Sequence, residues 1–295
     1  MRDNASEIPV HPRCLARARA ELLSAPPPLG NPRAAPCDAN MNPFPPLVAT
    51  PIAVIRSPYR ERFGVPRQAG LARATAATVV CNPQLVSPEA LRGLDMCSHV
   101  WLLAVFHHNG EAKTPSTVRP PRLGGNTRLG CLATRSPYRP NPIGLSAVAL
   151  DRVDRTRLEL HVHGADLVDG TPIVDIKPYL PYADIIADAH CTWAAAAPDP
   201  VPVQFSAEVE QVLSTTVGGR ELRVWAQDSL RWDPRPGHRR TDPDGDARIY
   251  GVRLGDFDVR FRRRVDAIEV VEVVGRPAPE PGSEDSDSPR TIEDS

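Results

Sequence analysis

The chain has 295 residues, with 35 Lys+Arg against 36 Asp+Glu and a net charge of -1. That length allows one large or two modest domains, and the near-neutral balance removes global basicity as a sign of a nucleic-acid partner. No apolar run reaches the roughly 18 residues of a membrane span, and the start lacks the apolar stretch of a signal peptide, so a soluble cytoplasmic protein with no membrane partner is expected.

Residues 1–45 are rich in Pro, Ala and Arg, include Pro26-Pro27-Pro28 and show no sustained period. They read as a disordered extension. Regular structure is expected from Val48–Ile55 onward, continuing with short β-rich runs at Thr75–Cys81, Val100–Phe106, Leu129–Thr134, Leu145–Val153, Arg157–His163 and Ile173–Ile176. Gly, Pro, Asp and Asn separate them. Leu158, Leu160 and Val162 alternate with polar residues, the period of a half-buried strand. One short helix is expected at Pro88–Leu94, with Ser87 as N-cap and Pro88 in the first turn. Residues 46–190 are therefore read as a mainly β domain, a small barrel. A linker at 194–204 precedes a smaller α+β domain over 200–275. Helices are expected there at Ala207–Ser214 and Leu222–Leu230, and strands at Arg248–Leu254, Asp256–Arg262 and Ala267–Val274. Residues 276–295 form an acidic tail, expected to be disordered.

Charge is distributed unevenly. Arg56, Arg60, Arg62 and Arg67 stand in a segment with only Glu61 opposing them. Residues 117–145 hold Arg119, Arg122, Arg128, Arg135 and Arg139 and no acid, among five prolines and four glycines. Proline removes donors and fixes φ, and glycine lets a ligand approach the backbone. A stiff, basic, loop-built surface results, suited to anionic ligands and above all to nucleic acid.

Several chemistries lack their signatures. There is no G-x-G-x-x-G, no G-x-x-x-x-G-K-[ST] and no G-x-S-x-G. The cysteines Cys14, Cys37, Cys81, Cys97, Cys131 and Cys191 lie far apart without a C-x-x-C pair and read as reduced thiols. His107-His108 follows a β run, where ligand contacts often sit. His161 and His163 share one face of a strand, but no further ligand completes a metal set, so no metal is expected. Asp175 and Lys177 also share a face and read first as an ion pair.

Taken together, the ordered segments I-A-V-I-R-S-P-Y-R-E-R-F-G-V-P-R-Q (52–68), Ser98–Trp101, Phe106-His107-His108, V-R-P-P-R-L-G-G (118–125), A-T-R-S-P-Y-R-P-N-P-I-G-L-S (133–146) and D-G-T-P-I-V-D-I-K-P-Y-L-P (169–181) resemble the TsaA-like, TrmO-type tRNA methyltransferases. The resemblance covers about residues 46–185 and continues more weakly to Asp233-Pro234-Arg235-Pro236. It implies a small β-barrel and a homodimer. It also implies transfer of a methyl group from S-adenosylmethionine to N6 of threonylcarbamoyladenosine, next to the anticodon of tRNA. The implied cofactor contacts are Pro66, Arg67, Gln68, His107, His108, Arg135, Leu145, Asp169, Gly170, Thr171 and Pro172. Some relatives have glutamine where this chain has His108. Asp169 is expected to meet the cationic end of the cofactor, and Arg67 or Arg135 its carboxylate. Arg56, Arg60, Arg119, Arg122, Arg128 and Arg139 are the expected RNA contacts, with Tyr59 and Tyr138 stacking on unpaired bases. Asp175, Tyr138 or solvent would accept the N6 proton. Two other readings stand beside it, a non-catalytic RNA-binding barrel and a metal-dependent hydrolase using His107, His108 and His161.

Overall fold

The computed structural model describes residues 48–109, 114–240 and 246–275 and the backbone of a strand at Thr291–Ile292. The predicted N-terminal extension and nearly all of the acidic tail lie outside the described residues.

Six strands close into an antiparallel barrel in the order β1-β2-β7-β6-β3-β8. They are β1 (Ala53–Arg56), β2 (Ala76–Cys81), β3 (His99–Val105), β6 (Ile143–Asp154), β7 (Glu159–His163) and β8 (Pro172–Pro178). Closure leaves no open edge. The period-2 alternation sets the inner face: Val100, Leu102 and Ala104 of β3, Leu160 and Val162 of β7 and Val79 of β2 are at most 1% exposed. Two short strands, β4 (Thr117–Val118) and β5 (Leu129–Gly130), pair outside the barrel and belong to the basic loop.

Most expected strands are present. The expected strand Leu129–Thr134 stops at Gly130, because Cys131–Ala133 is a 3-10 turn. The expected helix 88–94 is two 3-10 turns, Pro88–Leu91 and Leu94–Met96, separated by Gly93 at φ 88°. Ser87 does cap the first, its Oγ accepting from Ala90 N at 3.3 Å.

After a short helix α1 (Pro181–Asp184) the chain enters a second core. Here β9 (Val203–Phe205) lies in the segment read as a linker and pairs parallel with β12 (Ile268–Gly275). The sheet order is β13-β10-β11-β12-β9, with β10 at Asp246–Leu254, β11 at Phe257–Arg263 and β13 at Thr291–Ile292. Helices α2 (Ala207–Thr215) and α3 (Gly219–Leu230) contribute Val209, Leu213, Leu222, Ala226 and Leu230 to its core. Ser206 caps α2, accepting from Val209 N.

The connection between β1 and β2, residues 57–75, runs along both cores. Gly255 N donates to Pro58 O at 2.7 Å and Tyr59 bridges to Leu254. On the barrel side, Gly70 N donates to Gly164 O at 2.8 Å.

Candidate active site

Strand register explains how distant motifs meet. Leu103, Ala104 and Val105 of β3 pair with Leu145, Gly144 and Ile143 of β6, and Ala104 also faces Ile173 of β8. The end of β3, which leads to His107-His108, therefore lies beside the start of β6, which holds Leu145. It also lies beside the start of β8, which follows Asp169–Pro172. Phe106 N donates to Pro142 O at 2.8 Å, and Asn109 Nδ2 to Pro137 O at 2.7 Å, tying the histidine turn to the arginine loop.

The Asp169–Pro172 turn is fixed by its own backbone. Gly170, at φ 76°, donates to Ile55 O, and Thr171 Oγ1 donates to Val168 O at 2.6 Å. Asp169 is already engaged. Its Oδ1 accepts from Ser57 N at 3.0 Å and its Oδ2 from Arg60 Nη1 at 2.6 Å, with Arg56 at 3.7 Å. This carboxylate, expected to meet a cationic ligand, thus faces Arg60 and Arg56 and ties the turn to the end of β1 and the residues just after it. Arg60 is likewise committed to a protein partner.

Arg135 Nη1 donates to Gln68 Oε1 at 2.6 Å, so two of the expected cofactor contacts meet although 67 residues apart. Gln68 Nε2 turns back to Arg67 O at 2.5 Å. Arg67 Nη2 donates to Arg235 O at 3.3 Å. Although Arg67 as a residue is exposed, its head group lies in crowded space. Lost hydration first, then the like charge of Arg240, draw its pKa down to about 10, so it remains a cation at neutral pH. The His107 and His108 rings lie 4.0 Å apart. Burial, then the neighbouring His108, hold His107 below its ordinary value of 6.5, which favours the neutral ring.

A β-bulge sets the outer wall. Leu103 faces Asp175 and Ala104 faces Ile173, so Val174 is the extra residue in β8. Ile173 points into the core, Ile176 packs against it, and Asp175 is turned outward beside Leu103. Since Leu103 also faces Leu145, Asp175 and Leu145 stand at one level on the outer face, two strand spacings or about 10 Å apart. Asp175 Oδ2 is 2.7 Å from Lys177 Nζ, the ion pair that their shared face suggests. Leu145 is 58% exposed, an apolar shelf at the mouth of the site.

Of the expected RNA contacts, Arg56, Arg119, Arg122 and Arg128 are exposed. Arg122 bonds to Ala196 O, and Arg128 to Thr117 Oγ1 at 3.4 Å. Arg139 folds back on Thr134 O and Ser136 O. Tyr138 is 37% exposed and its hydroxyl accepts from Arg62 Nη1 at 2.5 Å. Tyr59 is a correction. It is 1% exposed, part of the C-terminal core, and no nucleobase can stack on it.

Asp166 is a carboxylate beside Arg135 that sequence reasoning misses. It follows β7, accepts from Ser146 Oγ at 2.6 Å, and lies within reach of the Arg135 charge. Burial pushes its carboxyl up, against the pull of Ser146, the nearby backbone amides and Arg135. No motif marks it; the only signal is an acid close before the Asp169 turn. His161, considered as a metal ligand, accepts from Arg152 at 2.9 Å and lies 3.7 Å from Glu159. Among the described residues no three His, Cys, Asp or Glu side chains are grouped to hold a metal ion.

The barrel end thus brings arginine, amide and imidazole groups from separate loops to one place, beside the basic loop. Residues 54–185 match the tRNA-methyltransferase O N-terminal domain, and residues 198–276 the TrmO C-terminal domain. An Escherichia coli protein named tRNA (adenine(37)-N6)-methyltransferase is 46% identical over 215 residues, 72% of this chain and 91% of its own length. A Pseudomonas aeruginosa protein carrying the name of an S-adenosylmethionine-dependent methyltransferase is 45% identical over 231 residues, 77% of this chain and 97% of its own. The crystal structure of TrmO from Pseudomonas aeruginosa superposes with a TM-score of 0.63 at 37% identity, over 78% of this chain and 99% of that one. The chain belongs to the TrmO family of tRNA methyltransferases.

Proposed function

We propose that the protein transfers a methyl group from S-adenosylmethionine to N6 of threonylcarbamoyladenosine at position 37 of tRNA. The observation that carries this reading is the convergence of Gln68, Arg135, His107-His108, Leu145 and the Asp169–Pro172 turn at one barrel end, in a chain of this family. The alternative of a non-catalytic RNA-binding barrel is set aside, because relatives matching along most of their length are named as methyltransferases.

The residues present suit the cofactor. It brings an activated methyl group on a sulfonium, an adenosine and an amino-acid end. Arg135 and Arg67 offer cationic donors for a carboxylate, Gln68 an amide, Leu145 an apolar shelf, and the Gly170 turn close access to backbone. Methyl transfer to nitrogen is an in-line displacement, accelerated chiefly by holding donor and acceptor in line at short range. The chain's task is therefore orientation. The Arg135–Gln68 bond and the bond-locked Asp169 turn supply rigid groups for it. The N6 proton leaves to a base. Asp175, on the same outer face as Leu145, and Tyr138, at the rim, are the candidates. Arg119, Arg122 and Arg128 take the phosphates of the anticodon arm.

We further propose a homodimer and a cytoplasmic location. Tyr182, Ile185 and Ile186, just beyond β8, are 87%, 61% and 66% exposed, an apolar group that a second copy would cover. Light scattering should give twice the chain mass, and the Ile185→Asp, Ile186→Asp double variant should give the monomer; a monomeric parent removes the proposal. No helix among the described residues is long and apolar enough to cross a membrane.

The test of the activity is mass spectrometry of nucleosides from tRNA of cells lacking this methylation, incubated with the protein and S-adenosylmethionine. The expected result is one added methyl on threonylcarbamoyladenosine. An unchanged nucleoside, with the cofactor nonetheless bound, would direct the reading to another acceptor.

A further inference from the structure

The segment bearing Pro66-Arg67-Gln68 belongs to the barrel by sequence but is anchored largely by the C-terminal domain. The Phe63 ring stacks against Tyr250 and Phe261, at 6.4 Å from each. Ser229 Oγ donates to Gly64 O at 2.6 Å. Trp232 Nε1 donates to Leu71 O at 3.2 Å. Asp228 Oδ2 accepts from both Ala74 N, at 2.9 Å, and Thr75 Oγ1, at 3.0 Å. The aromatic anchors stand on β10 and β11, and the three hydrogen-bonding ones, Asp228, Ser229 and Trp232, on the last turn of α3 and the residues just after it. Asp228 is 5% and Ser229 2% exposed, so both act where water competes little.

The turn that follows is itself rigid. Arg235, 1% exposed, forks onto Asp233, with Nε to Oδ1 at 2.9 Å and Nη2 to Oδ2 at 2.8 Å. Its carbonyl receives Arg67 Nη2 at 3.3 Å and Arg240 Nε at 3.0 Å. The fork thus fixes the acceptor on which Arg67 rests, and Gln68, the next residue, meets Arg135.

We infer that the segment Asp228–Arg235 is a positioning element of the cofactor site, with Asp228 and Ser229 as positioning residues that hold Arg67 and Gln68 opposite Arg135. The inference rests on the reading that Arg67, Gln68 and Arg135 bind the cofactor. Packing between two domains would need only apolar contact. Here buried polar side chains on one element grip carbonyls and amides on both sides of the Pro66–Gln68 stretch.

The full chain is tested as Ser229→Ala, Ser229→Thr and Asp228→Asn. The readouts are hydrogen exchange over residues 64–75, S-adenosylmethionine affinity by calorimetry, and kcat and KM for the cofactor. Ser229→Ala is expected to raise exchange in that segment and to weaken cofactor binding roughly ten- to a hundredfold. kcat should recover at saturating cofactor, and Ser229→Thr, which keeps the hydroxyl, should restore affinity. If exchange rises while affinity holds, or if affinity falls only as far as the melting temperature predicts, the inference is overturned. Should Asp228→Asn fail to fold, Ser229→Ala, which removes one hydroxyl, carries the test alone. Gln68→Ala and Arg135→Ala separate the two levels. Weakened binding there with intact binding in Ser229→Ala overturns the positioning role alone, whereas unchanged binding in both overturns the site reading and this inference together.

Discussion

The pentapeptide Arg-Ser-Pro-Tyr-Arg occurs twice, at 56–60 and 135–139, and its two copies adopt the same local bond and opposite fates. In each, the serine Oγ accepts from the tyrosine amide, at 3.3 Å for Ser57 and 3.2 Å for Ser136. Tyr59 is then covered by the C-terminal core, and Tyr138 is left at the rim under Arg62, whose guanidinium carbon sits 5.7 Å from the ring centre. Tyr59→Ala should lose about 3–5 kcal/mol, the cost of a cavity in a packed core. Tyr138→Ala should change stability by less than about 0.5 kcal/mol yet lower kcat/KM for tRNA. Urea unfolding and methylation kinetics on the two variants check both. His107 supplies a pH dependence. Its folded pKa lies below the ordinary 6.5, so between those values the unfolded chain binds a proton that the folded chain refuses. The contribution of this ring is therefore fully present above pH 6.5 and falls as pH drops through that window. Melting temperature against pH should show this fall, and His107→Gln should flatten it.

At the scale of elements, periodicity was the legible part. The alternation in β3 and β7 is visible in the sequence because each strand buries one face against the barrel interior. The ends and irregularities were not legible, because each depends on a distant partner. Leu129–Thr134 has strand composition, but Thr134 Oγ1 reaches Cys131 O at 2.9 Å and closes a turn. The bulge at Val174 follows from register against β3, which no local pattern announces. The site motifs were legible only as a set, through resemblance. The engagement of Asp169 by Ser57 and Arg60, the burial of Tyr59 and the place of Asp166 all required the fold. Gly64 shows the same dependence in one residue. It has φ 89°, and an added Cβ would lie 2.1 Å from Val252 Cγ2 and 3.1 Å from Ser229 Oγ. Gly64→Ala should combine backbone strain with overpacking and cost about 3 kcal/mol, read as a lowered urea midpoint with unchanged slope.

At the scale of the molecule, the near-zero net charge conceals a basic loop. The basic loop 117–139 packs at Pro121 and Gly125 against Gly237, where a Cβ would meet Pro121 O at 2.8 Å and Gly125 N at 3.2 Å. Arg119, Arg122 and Arg128 thus stand on a loop braced by both domains. Replacing all three by alanine should weaken tRNA binding and reduce the slope of log affinity against log salt by roughly 2–3. Filter binding across a salt series measures both, and an unchanged slope would remove these arginines from the RNA surface.

The bond between Ser229 and Gly64 joins positions 165 residues apart, and this separation orders events in time. As the chain leaves the ribosome, all six barrel strands emerge before α3 does, so the barrel can close while the Pro66–Gln68 stretch still lacks its anchors. Nascent chains that have not yet reached α3 would then carry a closed barrel whose Pro66–Gln68 stretch lacks the bonds to Asp228 and Ser229.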